Sequence, residues 1–411
     1  MKRTFLTLAF IAGMATVGFA DQFTPYTSED TSVAPVAGST TVYSFFVNII
    51  AEPFHFPLVG FFNMAHGNHN LPQIGFVNRN TGDFTSFQAG FVNAVGGNFS
   101  GSQLGHVNTS VGNTTGLQAG LINTSRGEVQ GAQISLINTA GSDLYGSQAG
   151  LINTSLGTVS GAQTGLINTS IGDMRFAQIG YINTSLGDTT GVQLGFINTS
   201  RGEMRGAQLG FINTALRGGQ LPQIGFVNTS AGPLNGMQLG FINFADSIED
   251  GIPIGFISIV RNGGFRAVEY VFSEFFPVGM GLKLGVERFY STIFVAYDVT
   301  EDRAWENFSL GFGIGSIIPI GQSFFFNPEL SSNFAPILHR EGTQQLLSFV
   351  PLVGFNINRH FSITAGPSVT WGWARGAADA SREPFFSIVN HDINDRHSIV
   401  VGARAGLRFR F

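Results

Sequence analysis

An asparagine recurs every fifteen residues across more than half of this chain, without a slip. The series is Asn48, Asn63, Asn78, Asn93, Asn108, Asn123, Asn138, Asn153, Asn168, Asn183, Asn198, Asn213, Asn228 and Asn243. The next step falls on Ser258, in the look-alike Gly255-Phe256-Ile257-Ser258. A glutamine keeps the same beat five residues ahead: Gln73, Gln88, Gln103, Gln118, Gln133, Gln148, Gln163, Gln178, Gln193, Gln208, Gln223 and Gln238. A period this strict means one small unit stacked many times. A single unit cannot bury its apolar face, whereas a stack of them can.

The unit Gly191 to Arg205 shows how the period becomes structure. Val192, Leu194 and Phe196 alternate with Gln193 and Gly195, the period of a strand with two distinct faces. The Asn-Thr-Ser-x-Gly stretch that follows is turn chemistry, with glycine supplying a bend that a Cβ resists. Two bends and two short extended pieces make one coil of a β-solenoid. In a stack with coils about 4.8 Å apart, each residue lies on its counterpart, and the Asn and Gln series become amide ladders. Phe196 and Ile197 are adjacent and both apolar. Either a corner turns both inward, or the outside carries an Ile/Val stripe beside a flat glycine stripe; the corner is the expectation. The rival architecture is an antiparallel membrane barrel with one strand per repeat. Against it, each unit offers only a short apolar face, and all units are alike where up and down strands should differ.

Units such as Gly116-Leu-Gln-Ala-Gly-Leu-Ile-Asn123 and Gly206-Ala-Gln-Leu-Gly-Phe-Ile-Asn213 resemble a family of bacterial surface-repeat proteins with Gly-x-Gln-x-Gly-Leu/Phe-x-Asn units. The resemblance covers residues 71 to 243. Ser135 and Phe176 replace glycines, and Leu71-Pro72 and Leu221-Pro222 interrupt two units. The resemblance implies a cell-envelope or surface location and brings no catalytic residue with it.

The chain opens with Lys2 and Arg3, an apolar stretch from Phe5 to Val17, and Gly18-Phe19-Ala20, which reads as a secretory signal over residues 1–20. The expected domains are that signal, a lead or cap segment at 21–42, the solenoid at 43–258 and a barrel at 259–411. No stretch after the signal is long and apolar enough for a membrane helix. The sequence has no cysteine, so no disulfide and no acylated cysteine. Yet 41 Phe and 55 Gly stand against 11% charged residues, a balance that favours all-β structure and suits an outer-membrane β protein. A net charge of -5 argues against a generally basic nucleic-acid binder.

After Ser258 the beat stops and longer alternating strands take over. Phe308, Leu310, Phe312 and Ile314 share one face against Ser309, Gly311, Gly313 and Gly315, and similar patterns cover 361–373 and 399–411. Apolar-out, small-or-charged-in alternation over such lengths is the pattern of transmembrane β-strands. Eight strands are expected, near 264–273, 277–287, 291–299, 307–319, 322–333, 346–357, 360–373 and 397–411. Tight turns at Ile320-Gly321 and Asn358-Arg359 contrast with longer, charged loops at 300–305, 335–345 and 374–396. Leu407, Phe409 and Phe411 end the chain on one face, resembling the C-terminal signal read by the barrel-insertion machinery. By parity, Lys283, Glu287, Asp298, Glu329, Arg404, Arg408 and Arg410 point into the lumen. An eight-stranded barrel is just filled by its own side chains, so these charges make either a narrow anion path or a salt-bridged plug; the plug is preferred.

Little chemistry stands out. His66 and His69 lack a nearby carboxylate or cysteine to complete a metal site. The Asn-Thr-Ser triplets resemble glycosylation acceptors, but the turn accounts for them. Glu128, Asp143, Asp173, Asp188 and Glu203 fall in or beside turns and form no close acid pair. No catalytic, cofactor-binding or metal residue is therefore expected. The expected role is a non-enzymatic envelope protein, structural or adhesive, exported by the Sec pathway and anchored in outer-membrane lipid. The solenoid would stand on the surface or in the periplasm, with another envelope protein or a surface glycan as partner. An outer-membrane pore, or a carbohydrate-active enzyme on the solenoid, is the alternative.

Overall fold

A computed structural model describes residues 41–51, 54–220, 222–297, 308–337, 342–375 and 384–411. The expected leader 1–20, most of the lead segment 21–42, and Asp298 lie outside the described residues. Within them there are strands and no helix. The fold is a β-solenoid of about 14 turns followed by a closed, antiparallel, eight-stranded β-barrel. The chain forms two compact units, one ending at Arg217 and the other running from Gly218 to Phe411.

In the first unit, coils stack in parallel and in register, each residue on the residue fifteen positions away. Val159–Ser170 pairs with Leu144–Ser155 on one side and Met174–Ser185 on the other, aligning Gln148, Gln163 and Gln178 and likewise Asn153, Asn168 and Asn183. Parallel pairing removes the rival barrel, which needs strands of alternating direction. The chain bends at the Gly-Leu/Phe step, where some strands break outright, as between Thr114–Ala119 and Ile122–Ser125. A ladder of Val129, Leu144, Val159 and Met174, with Ala140, forms a thin apolar core.

Glycine is required at one point of the coil. Gly116, Gly131 and Gly146 have φ of 122°, 138° and 141°, and a Cβ on any of them would run into the carbonyl oxygen of the coil before. Phe176 occupies this position at φ 138°, the one non-glycine residue at positive φ among the described residues.

The second unit begins with three more parallel coils, in Gln223–Asn235, Met237–Ile248 and Ile252–Asn262. A turn at Gly263, φ 74°, leads into the barrel. Its strands are β1 (Phe265–Phe272), β2 (Val278–Val286), β3 (Phe289–Tyr297), β4 (Phe308–Gly315), β5 (Phe324–Ile337), β6 (Gly342–Asn356), β7 (Phe361–Arg375) and β8 (His397–Arg410). Each pairs antiparallel with the next, and β1 closes on β8 with Ala267 opposite Arg410 and Phe272 opposite Ala405.

Alternation sorts the barrel side chains. Phe308, Leu310, Phe324, Phe349, Val369, Trp371, Leu407 and Phe409 lie exposed outside, while Ser309, Asn327, Glu329, Thr370 and Arg408 are buried inside. Glycines inside make room for rings: a Cβ on Gly311 would strike the Phe294 ring, and one on Gly354 the Phe325 ring.

Three details depart from the expected strands. The fourth strand breaks after Gly315, because Ser316 and Ile317 donate to the carbonyls of Pro328 and Glu287, and resumes as Ile318–Ile320. β5 and β6 reach further into the loop expected at 335–345. The long segment before β8 folds back as a short strand, Val389–Asn394, on its outer half.

Candidate functional site

Much of the solenoid interior is polar. Every described Asn and Gln of the two series is buried, at 0 or 1% exposure. Asn78 Nδ2 donates to Asn93 Oδ1 at 2.8 Å and to the Ala89 carbonyl at 2.8 Å, and the pattern repeats coil by coil. Gln88 Nε2 donates the other way along the stack, to Gln73 Oε1 at 2.6 Å. Further on, Gln148 Nε2 donates to Gln133 Oε1 and to the Thr154 carbonyl. The two ladders thus run with opposite polarity, one donating toward the C-terminus and one toward the N-terminus. A buried primary amide costs little once its donors and acceptor are matched, and a period of identical coils matches them automatically.

The ladders end where the sequence ends them. Leu58 and Pro253 occupy the glutamine position at the two limits, and neither side chain can bond an amide. Gln73 Nε2 and Gln238 Oε1, the outermost atoms of the series, are buried without a partner. Ser258 closes the asparagine ladder by accepting from Asn243 Nδ2 at 3.3 Å and donating to the Pro253 carbonyl at 3.3 Å.

A third ladder, unforeseen in the sequence, runs along the turns. The side-chain oxygens of Asp83, Asn98, Asn113, Asp143, Asp173 and Asp188 each accept the backbone N–H fifteen residues on, at 2.6 to 3.0 Å. The acids noted in the sequence are thereby given a structural occupation. Asp143, Asp173 and Asp188 act in this ladder, while Glu128 and Glu203 bond side chains two residues on. His66 is exposed and His69 buried against Phe84, its Nε2 unpartnered; burial pulls the His69 imidazole below its usual range. No cluster of His, Cys, Asp or Glu among the described residues could hold a metal.

The outside of the coil corrects one expectation. The corner does fall near Gly195, but Phe196 points out, not in, with 40% of its surface exposed beside exposed Val192 and Leu194. The reason is the interior: Gln193 and Asn198 fill it, and Gly195 sits so close to Gly180 and Asn183 of the coil before that no ring could enter. The outward residues stack into a stripe. Tyr181, Phe196 and Phe211 lie ring on ring at 4.9 Å and within 2° of parallel. Leu121, Leu136, Leu151 and Leu166 hold the same place in other coils.

The barrel interior is also polar, but charged. The Glu269 and Glu329 carboxylates face Lys283, Arg404 and Arg408. Lys283 meets Glu269 at 2.8 Å and also pairs with Glu329; Arg404 meets Glu329 at 3.2 Å; Arg408 meets Glu269 at 3.0 Å and donates to Asn327 Oδ1 at 2.6 Å. The Arg408 guanidinium lies over the Phe265 and Phe325 rings. Toward the long-loop end, Ser273–Phe276 folds into the bore. Phe275 and Phe276 pack on Ala296, Leu346 and Val400, and Thr370 donates to the buried Glu274 at 2.7 Å. A cavity of about 40 Å³ is left beside Ser331, Ser348, Ser368 and Arg404, room for water and little more.

Of the sequence-predicted lumen set, Lys283, Glu329, Arg404 and Arg408 meet in one network. Glu287 and Arg410 pair separately at 2.9 Å at the barrel rim, with Glu287 half exposed. Asp298 lies outside the described residues. Glu269, Tyr290, Asn327 and the Phe275-Phe276 insertion were not anticipated. Glu269 was legible: it shares parity with Phe265 and Ala267, which face inward on the same strand.

The last coil lies on the barrel wall. Strand Ile252–Asn262 packs against β2 and β3, and Phe256 stacks on the outward ring of Phe312 at 4.8 Å. Val286 and Ser291 are covered there, whereas Leu310, nearer the long loops, is 62% exposed. Comparison with protein-family models, curated proteins and solved structures gives no significant match.

Proposed function

We propose that the chain is a non-enzymatic structural protein of a bacterial outer membrane, in which the barrel is a closed anchor and the solenoid the working part. The observation that carries this reading is the barrel itself. Its outer wall is a band of Phe, Leu, Val and Trp, and its bore is filled by the Glu269–Lys283–Glu329–Arg408 network and by Phe275 and Phe276. An apolar exterior around a filled bore suits a protein held in lipid better than one that passes solutes. Lipid and the barrel-insertion machinery are the partners this reading implies.

Short turns of outer-membrane barrels face the periplasm and long loops the outside. The solenoid joins β1 at the short-turn end, beside the turns at Glu287-Arg288 and Asn358-Arg359. This favours a periplasmic-side solenoid over a displayed one, and an envelope scaffold over an adhesin that binds surface glycans. The test of the anchor reading is conductance. Purified full-length protein inserted in planar bilayers should carry no steady current; a stable ion current would replace the anchor with a pore.

A further inference from the structure

The outer stripe of the solenoid is exposed in coil after coil, and its composition says what it fits. In every coil from Thr41–Asn48 to Gly251–Ser258, the positions aligned with Gly191–Asn198 carry no Asp, Glu, Lys or Arg. The charges of the repeats, such as Asp173, Arg175, Asp188, Arg201, Glu203 and Arg205, fall on the remaining positions, at the turn edge. The coil is therefore amphipathic across its section, with one edge charged and one face free of charge and mostly apolar. A soluble protein seldom leaves a contiguous apolar face of this kind open to water.

Continuity identifies the occupant. Within the second unit, the stripe Phe226–Phe241–Phe256 runs ring on ring directly onto Phe312 of the barrel wall, at 5.0, 4.9 and 4.8 Å. The stripe and the wall form one apolar surface. The covered part of the wall, Val286 and Ser291, lies in the short-turn half, and Leu310 and Val295 in the other half stay open. From Val192 to Phe196 the apolar strand spans roughly 13 Å, about one leaflet of a hydrocarbon core of about 30 Å.

We infer that the solenoid is itself a membrane element. Its apolar stripe lies against the acyl chains of a leaflet, and its charged turn edge lies at the headgroups. This is the geometry of an interfacial amphipathic segment, built from stacked coils instead of a helix. The inference rests on the reading of the barrel as membrane-spanning, and the test separates the two.

The chain has no cysteine, so single cysteines can be labelled one at a time. Leu194→Cys and Leu239→Cys report on the stripe, Leu310→Cys on the barrel wall and Asp188→Cys on the turn edge; the three leucines are exposed, so labelling should leave the fold intact. Full-length protein is reconstituted in phosphatidylethanolamine–phosphatidylglycerol vesicles with an environment-sensitive fluorophore at each site and nitroxide-bearing acyl chains as quencher. The expected result is several-fold quenching at 194, 239 and 310 and little at 188. Quenching at 310 with none at 194 or 239 overturns the inference and leaves the anchor reading standing. No quenching at any site defeats the anchor reading first. Labels at 194 and 239 shielded from both lipid and aqueous quenchers would mean that a protein, a second copy included, covers the stripe, and would also overturn the inference.

Discussion

The solenoid and the barrel solve one problem in two ways. Both turn an apolar face outward and bury ranks of polar side chains behind it, unlike an ordinary soluble domain. In the solenoid the interior is neutral and self-matching, because each Asn or Gln finds its complement in the identical residue one coil away. In the barrel no residue repeats, so the inward groups must be complementary by kind, carboxylate against guanidinium and ammonium. Repetition lets amides satisfy each other without charge. A non-repeating bore of the same polarity requires ion pairs, and ion pairs are far less forgiving when one member is lost.

That contrast predicts a ranking of damage. Glu329→Gln, which leaves Lys283, Arg404 and Arg408 around a single carboxylate, should destabilise the barrel by about 3–5 kcal/mol in urea titrations of reconstituted protein. Glu287→Gln at the rim, where the pair is half exposed, should cost less than about 1 kcal/mol. Equal effects would break the distinction between buried network and rim pair. In the solenoid, Asn153→Ala removes bonds to Asn138, Asn168 and the Thr164 carbonyl. It should cost about 3 kcal/mol, seen as faster amide exchange in the flanking coils. Gln238→Ala, at the end of its ladder where one amide atom already lacks a partner, should cost distinctly less.

A smaller effect has the opposite sign. Phe176→Gly relieves a bulky residue at φ 138° whose ring is 69% exposed, and should raise stability by about 1 kcal/mol in the same exchange measurement. The smallest concerns pH. Burial favours neutral His69, so its folded value lies below the unfolded one of about 6.5. Its contribution is full above that value and is lost as pH falls through the lowered folded value. His69→Phe should flatten the acid side of the stability profile of the first coils, and an unchanged profile would remove His69 from the account.

Much of this was legible in the sequence. The fifteen-residue beat gives the coil register from Asn48 to Asn243, and period-two runs such as Phe308–Gly315 mark barrel strands and their two faces. The direction of Phe196 was not legible, because alternation separates faces without saying which is inside. The habit of placing rings inward fails where amides can satisfy one another. The absence of charge from the Gly191–Asn198 positions in every coil was the available sign. The Asp143–Asp173–Asp188 turn ladder escaped because short acids in turns usually face water. Phe275 and Phe276 escaped because a connection between two strands carries no mark of folding into the bore.

The proposed function rests on a filled barrel that anchors the chain, with the solenoid on the periplasmic side. It is tested most directly by labelling intact cells with a membrane-impermeant maleimide at two introduced cysteines. One is Asp188→Cys on the solenoid's turn edge, and the other is Ser387→Cys on the long segment before β8, exposed in the structure. The account predicts labelling at 387 on intact cells and at 188 only after the outer membrane is permeabilised. Labelling at 188 on intact cells, or at 387 only after permeabilisation, would contradict it.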